Sequence, residues 1–242
     1  MQLIKLNAID STNDFLKGLS NNQFLENFTV VSAENQTKGK GQMGSVWNSE
    51  PSKNLIVSVL VNEFVIDINR IFDINIVFSI SIIQVLEDLK IPELSIKWPN
   101  DIMSYTKKVG GILIENSIKS DGSINSIVGL GLNVNQINFE NLPKASSLAV
   151  ICNTTFDKEE ILIKIVERLK QNIQTWNQNS DLFWSRYTMK LFKKGIPMPF
   201  EDQNQQNFMG IIKGVSPIGK LEILLEDDSV AEFDIKQIRM LY

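Results

Sequence analysis

The chain has 242 residues, 43% hydrophobic and 21% charged, enough for one sizeable core with room for a small appended unit. Its 24 basic and 28 acidic residues leave a net charge of -4, which excludes the broad positive field of a general nucleic-acid binder. With no histidine and a single cysteine, Cys152, it can build no Ser-His-Asp or Cys-His centre, no histidine-ligated metal site and no internal disulfide.

In chain order, Leu3 to Leu6 reads as a short strand, and Asp10-Ser11-Thr12-Asn13 offers capping side chains to a helix carrying Phe15, Leu16 and Leu19. Thr29 to Ala33 and Leu55 to Val61 are strands by their valine and isoleucine content, and the polar, glycine-bearing stretch from Asn35 to Pro51 is a long loop between them. From Ile71 to Leu89 the apolar run is broken by Asp73, Asn75, Ser79 and Ser81, which predicts a buried helix and not a membrane span of roughly 20 residues. Leu94 to Trp98, Val109 to Ile118 and Ile124 to Val134 follow as antiparallel strands, the last two joined by a turn at Ser120-Asp121-Gly122. Asp157 and Glu160 cap a helix on which Ile161, Ile165, Leu169, Ile173 and Trp176 share a face, and Ser180 to Lys194 forms another helix. Gly195 to Pro199 breaks the pattern, and Met209 to Val215, Leu221 to Leu225 and Val230 to Ile235 are the strands of a small barrel. The N-terminus lacks a secretory pattern, so a cytoplasmic setting with no membrane attachment is expected.

Four constellations could carry chemistry. Gly39-Lys40-Gly41-Gln42-Met43-Gly44-Ser45-Val46-Trp47 combines backbone freedom with a cation and suits a phosphate, although Ser45-Val46 stands where a P-loop needs Lys-Ser/Thr. Alone, it reads first as a glycine-rich surface loop. Lys97-Trp98-Pro99-Asn100-Asp101 gathers a cation, an amide and a carboxylate at a turn, or else is a core tryptophan followed by an ordinary polar turn. In Lys108-Val109-Gly110-Gly111 two glycines inside a strong strand point to a bulge or to close approach by a ligand. Gly129-Leu130-Gly131-Leu132-Asn133 lacks the third glycine and following helix of a dinucleotide fingerprint, but its alternate glycines leave a flat floor on one strand face.

Taken in this order, the four constellations resemble the catalytic core of the biotin–protein ligases. The resemblance runs by motif from Ile9 to about Ser147 and less specifically through Phe208 to Ile238. It implies an α+β fold: a mixed, mainly antiparallel sheet with packed helices, like the class II aminoacyl-tRNA synthetases, in residues 1–195, and an SH3-like β-barrel in 196–242. It implies biotin contacts from Ser11, Thr12, Asn13, Gln36, Gly39, Lys40, Lys108, Gly111, Gly129 and Gly131. Lys40, Trp47, Lys97, Asn100 and Asn133 would serve ATP, with Trp47 on adenine. Catalytic roles fall to Lys108, Lys40 and Asp101, the last also holding Mg²⁺. The substrates so implied are biotin, ATP and a lysine on a biotin carboxyl carrier domain. Lipoate–protein ligase and a non-enzymatic biotin-sensing module are the competing readings. The ten residues ahead of Ser11 are too few for a helix-turn-helix, so no DNA partner is expected, while open sheet edges would admit a homodimer or an edge-docked carrier.

Overall fold

A computed structural model describes residues 2–65, 67–119, 122–140 and 142–242; of the expected turn at 120–122, Ser120 and Asp121 lie outside the described residues. The chain forms β1 (Leu3–Leu6), α1 (Thr12–Asn22), β2 (Val30–Ala33), β3 (Leu55–Asn62), α2 (Asp73–Asp88), β4 (Leu94–Lys97), β5 (Asp101–Ser104), β6 (Lys107–Ile118) and β7 (Ile124–Leu132). Two helices follow, α3 (Leu148–Cys152) and α4 (Lys158–Met189), then β8 (Pro197–Asp202), β9 (Asn207–Val215), β10 (Leu221–Leu224), β11 (Val230–Phe233) and β12 (Ile238–Met240). The first seven strands make one sheet in the order β1-β2-β3-β7-β6-β5-β4, and the last five make a second in the order β11-β10-β9-β8-β12. Only β1 and β2 run parallel in the first sheet, so the α+β class with a mixed, mainly antiparallel sheet is what the chain adopts.

The two faces of the first sheet have different fates, and the difference creates the site. On one face Val57, Val59, Val128, Leu130 and Leu132 pack against α2 and α4 in the main core. The helix α2 is apolar nearly all round and buried from Asp73 to Ile83, which is the pattern of a helix enclosed on every side. On the other face Val31, Leu60 and Ile127 meet Leu16 of α1 in a smaller cluster. Because α1 has only 11 residues it covers only part of that face. Next to the covered part, the register pairs Gly129 with Ser58 and Gly131 with Ile56 and Gly111, so the uncovered part is floored by residues without side chains.

Several boundaries differ from the sequence reading for local reasons. The stretch after Pro99 pairs at once as β5, because Asp101 and Ile102 find partners on both β4 and β6. The two expected C-terminal helices form one run in which Asn179, with φ -133 and ψ 17, marks the kink between them, and the helix ends at Met189, not Lys194. Pro197 to Pro199, read as a breaker, belongs to β8, a strand whose prolines need no donor where they stand. Asp157 caps α4 as expected, accepting from the Glu159 and Glu160 amides. Among the described residues no helix is long and apolar enough to cross a membrane.

The second sheet is pinned to the first at the β9–β10 turn. Gly219, at φ +90, presents its carbonyl to the Trp98 indole N–H at 2.9 Å, and a Cβ there would sit 2.5 Å from the Phe72 ring. Gly219→Ala therefore adds left-handed strain to a steric clash and is expected to cost about 2–4 kcal/mol of stability, read as a lower urea midpoint at unchanged slope.

Candidate active site

The uncovered face opens into a cavity of about 300 Å³, at the lower end of the size range of small-molecule sites. Its polar wall is made by the start of α1 and by Gln36, with Ser58 of β3 behind them. Gln36 Oε1 accepts from the Thr12 amide at 2.8 Å and from the Thr12 hydroxyl at 3.0 Å. Ser58, fully buried in β3, lies 2.8 Å from Thr12 Oγ1 and 2.6 Å from Asn13 Oδ1. Asn13 in turn donates to Glu115 Oε2 at 2.8 Å and to the Leu113 carbonyl at 3.3 Å. This relay fixes which atoms donate: with Gln36 Oε1 held by Thr12, the Gln36 Nε2 group is the donor left to face Gly39 and the cavity. Ser11 lines the same wall but spends its hydroxyl capping α1, accepting from the Asp14 amide at 3.3 Å. Gly129 lets this wall close in, since a Cβ there would run into Asn13 Oδ1.

A bulge aims the opposite, cationic side. Asp101 pairs with Gly111 and Ile102 with Gly110, yet Met103 pairs with Lys108, so Val109 is an extra residue in β6. An extra residue reverses the alternation of side chains. Lys108 consequently shares the cavity face with Gly111, its Nζ lying 3.3 Å from where a Gly111 Cβ would be. The freed backbone of Lys108 is taken up by the segment after Pro143, through the Lys144 carbonyl at 2.8 Å and the Ser146 amide at 2.9 Å. Of the two readings of the paired glycines the bulge is present, and at Gly111 the side chains of Lys108 and Trp47 are what come close to the backbone.

Asp101, expected to hold magnesium, is engaged by lysines instead. Its Oδ1 is 2.6 Å from Lys108 Nζ and its Oδ2 is 3.7 Å from Lys97 Nζ. Asn100 lines the cavity, but its amide pins the turn by donating to the Ile112 carbonyl at 2.7 Å. Asn75 of α2 holds the same turn through the Pro99 carbonyl at 3.2 Å. Trp47 lies on the glycine floor: a Cβ at Gly131 would be 2.5 Å from its indole, and Lys108 Nζ is 5.5 Å from its ring centroid. Its Nε1 is buried with no partner, a donor without an acceptor. Gly39 closes the base of the loop, where its carbonyl accepts from the Trp47 amide at 2.9 Å and a Cβ would strike the Trp47 carbonyl.

Two expected residues stand apart from this cluster. Lys40 lines the cavity while its ammonium reaches Asp14 at 2.6 Å. Asn133 lies beyond the end of β7 and does not line the cavity; it is buried and donates to the Ser146 carbonyl at 3.0 Å, holding the segment that supports Lys108. Sequence reasoning missed Ser58, although a lone hydroxyl in Leu55-Ile-Val-Ser-Val-Leu-Val was a visible signal. It also missed Ile235 and Lys236, which reach the cavity from the second sheet and carry no local signal.

Among the residues lining the cavity, four are lysines and one, Asp101, is a carboxylate, in a chain whose net charge is -4. Fold and site together define an α+β protein whose cavity has a polar wall, a flat floor and a cationic end. The profile described as the Biotin/lipoate A/B protein ligase family matches residues 6–133, more than half of the sequence, and the chain belongs to that family. It is 33% identical over 134 residues to "Bifunctional ligase/repressor BirA" of Bacillus spizizenii, a match covering 55% of this chain but 41% of that relative, so the chain spans less than half of the relative's length. It is 27% identical over 198 residues to the "Biotin--[acetyl-CoA-carboxylase] ligase" of Mycobacterium tuberculosis, covering 79% of this chain and 71% of the other. The structure of "Biotin protein ligase from Aquifex aeolicus in complex with biotin and ATP" superposes with a TM-score of 0.81 at 28% identity, over 99% of this chain and 98% of that one.

Proposed function

We propose that the chain is an ATP-dependent biotin–protein ligase, with the catalytic unit in residues 1–195 and an SH3-like unit in 196–242. The observation that carries this reading is the division of one cavity into a hydrogen-bonding end, formed by Thr12, Asn13 and Gln36 with Ser58 buried behind them, and a cationic end, formed by Lys97 and Lys108. Biotin has the matching halves: a flat ring with N–H donors and a carbonyl acceptor, and a carboxylate tail. A dithiolane ring has no hydrogen-bonding groups to offer the polar wall, and this favours biotin over lipoate.

In the first step a carboxylate oxygen of biotin bonds to the α-phosphorus of ATP as the bond to the β-phosphate oxygen breaks and pyrophosphate leaves. The carboxylate is already ionised, so no general base is needed, which suits a chain without histidine. The site's task is to bring two anions together, and that falls to Lys108 and Lys97. In the second step the neutral amine of a carrier lysine attacks the acyl carbon and AMP departs; the indole of Trp47 over the floor keeps water from the same carbon. Magnesium enters this reading only as the companion of ATP. No three His, Cys, Asp or Glu come together among the described residues, so the cavity would offer magnesium one carboxylate, Asp101, beside the phosphates of ATP, and that carboxylate faces Lys108 and Lys97.

The test is pyrophosphate release that requires biotin, followed by a mass gain on a carrier fragment. Release that requires lipoate and not biotin would replace this reading with the sister activity. Binding of biotin with no turnover of ATP would reduce the chain to a sensing module.

A further inference from the structure

The cavity has a cation that comes from outside its own sheet. Of the lysines that line it, Lys40 is paired with Asp14, and Lys97 and Lys108 share Asp101. The loop's other lysine, Lys38, is paired with Asp10 at 2.7 Å. Lys236, in the turn between β11 and β12, has no carboxylate partner among the described residues. Its Nζ donates instead to the Met43 carbonyl, at the tip of the glycine-bearing loop, at 2.7 Å.

The backbone is left-handed on both sides of this contact. Met43 has φ 53 and ψ 41, and Lys236 has φ 69, so two non-glycine residues in the left-handed region face each other across one hydrogen bond. Such conformations cost of order 1 kcal/mol or more each and persist where surrounding contacts impose them. At Lys236 the turn is imposed by Gln237, whose amide donates to the Asp234 carbonyl at 3.0 Å and whose Oε1 accepts from the Asp234 amide at 2.6 Å. That turn projects the lysine toward the loop and not along the strand.

We propose that Lys236 clasps the ligand loop over the cavity and lends its unneutralised charge to the anionic end of the nucleotide. The loop's own cations are held by carboxylates outside the slot, so the second sheet supplies what the loop does not. The charge half of this proposal rests on the ligase reading; the clasp half does not.

The experiment compares Lys236→Met, which keeps the length and removes the charge, with Lys236→Arg, which keeps charge and donor. In the full chain without ligand, tryptic cleavage at Lys38 or Lys40, mapped by mass spectrometry, is expected to accelerate about tenfold in K236M and to stay near the parent rate in K236R. In biotin-dependent pyrophosphate release, the KM for ATP is expected to rise about tenfold in K236M and to return to within about twofold in K236R, with biotin binding in the absence of nucleotide unchanged. Parent-like cleavage in K236M overturns the clasp, and a parent-like KM in K236M overturns the charge. An arginine variant as impaired as the methionine one overturns both, because shape and not charge would then be at work. A parent protein that releases no pyrophosphate refutes the ligase reading and the charge with it, while the cleavage comparison still decides the clasp.

Discussion

Replacing Lys108 with alanine is expected to slow biotinyl-adenylate formation by about 10²–10³-fold, the loss typical of removing one preorganised charge donor from a reacting anion. Two effects combine. The ammonium nearest the floor disappears, and Asp101, which it contacts at 2.6 Å, is left with only the more distant Lys97 at 3.7 Å. A partly freed carboxylate would then stand beside two incoming anions. Lys108→Arg keeps the charge, but the side chain lies 3.3 Å from the Gly111 position and a guanidinium needs more room, so partial activity is expected. Neither change should unfold the protein, because Asp101 keeps Lys97 as a second partner, although in a pair this largely buried the loss is expected to cost about 1–3 kcal/mol. The measurement is single-turnover adenylate formation with labelled ATP, alongside a urea melt. A rate within a few-fold of the parent would remove Lys108 from the mechanism.

How Lys108 comes to face Asp101 shows where a sequence stops being informative. Strand periodicity places Leu55 to Val61 within a residue of β3, because that run is apolar throughout but for Ser58, whereas the expected Ile124 to Val134 overruns β7, which ends at Leu132. The paired glycines of β6 announce that something approaches the backbone there. Nothing in the local pattern says that Val109 is the extra residue, since a bulge is settled by the register against β5, and β5 itself has only four residues. The same limit hides Lys236. It sits 193 positions from Met43, and only the docking of the second sheet, through contacts such as Trp98 to Gly219, brings the two together. Asn133 shows the converse. Its alternation with Gly129 and Gly131 suggests a common face, but β7 ends at Leu132 and the chain turns, so the amide faces Ser146.

Gly131→Val should weaken biotin binding while leaving the sheet intact. Residue 131 lies inside β7, paired with Ile56 and Gly111 on its two sides, and its backbone is an ordinary extended one that valine prefers over glycine. Local propensity therefore favours the substitution, and any loss must come from the cavity side. There, the first added carbon would lie 2.5 Å from the Trp47 indole, and the remaining methyl groups would stand on the floor itself. Overpacking of this kind costs about 1–3 kcal/mol, which predicts about 10- to 100-fold weaker biotin binding by calorimetry with little change in the urea midpoint. The double variant Trp47→Ala/Gly131→Val separates the two sources of the loss. If the indole alone is displaced, clearing it restores most of the affinity; if the ring of the ligand needs the bare floor, affinity stays low. Full biotin affinity in the single valine variant would mean that the ligand rests elsewhere, and the glycines of β6 and β7 would then be explained by Trp47 packing alone.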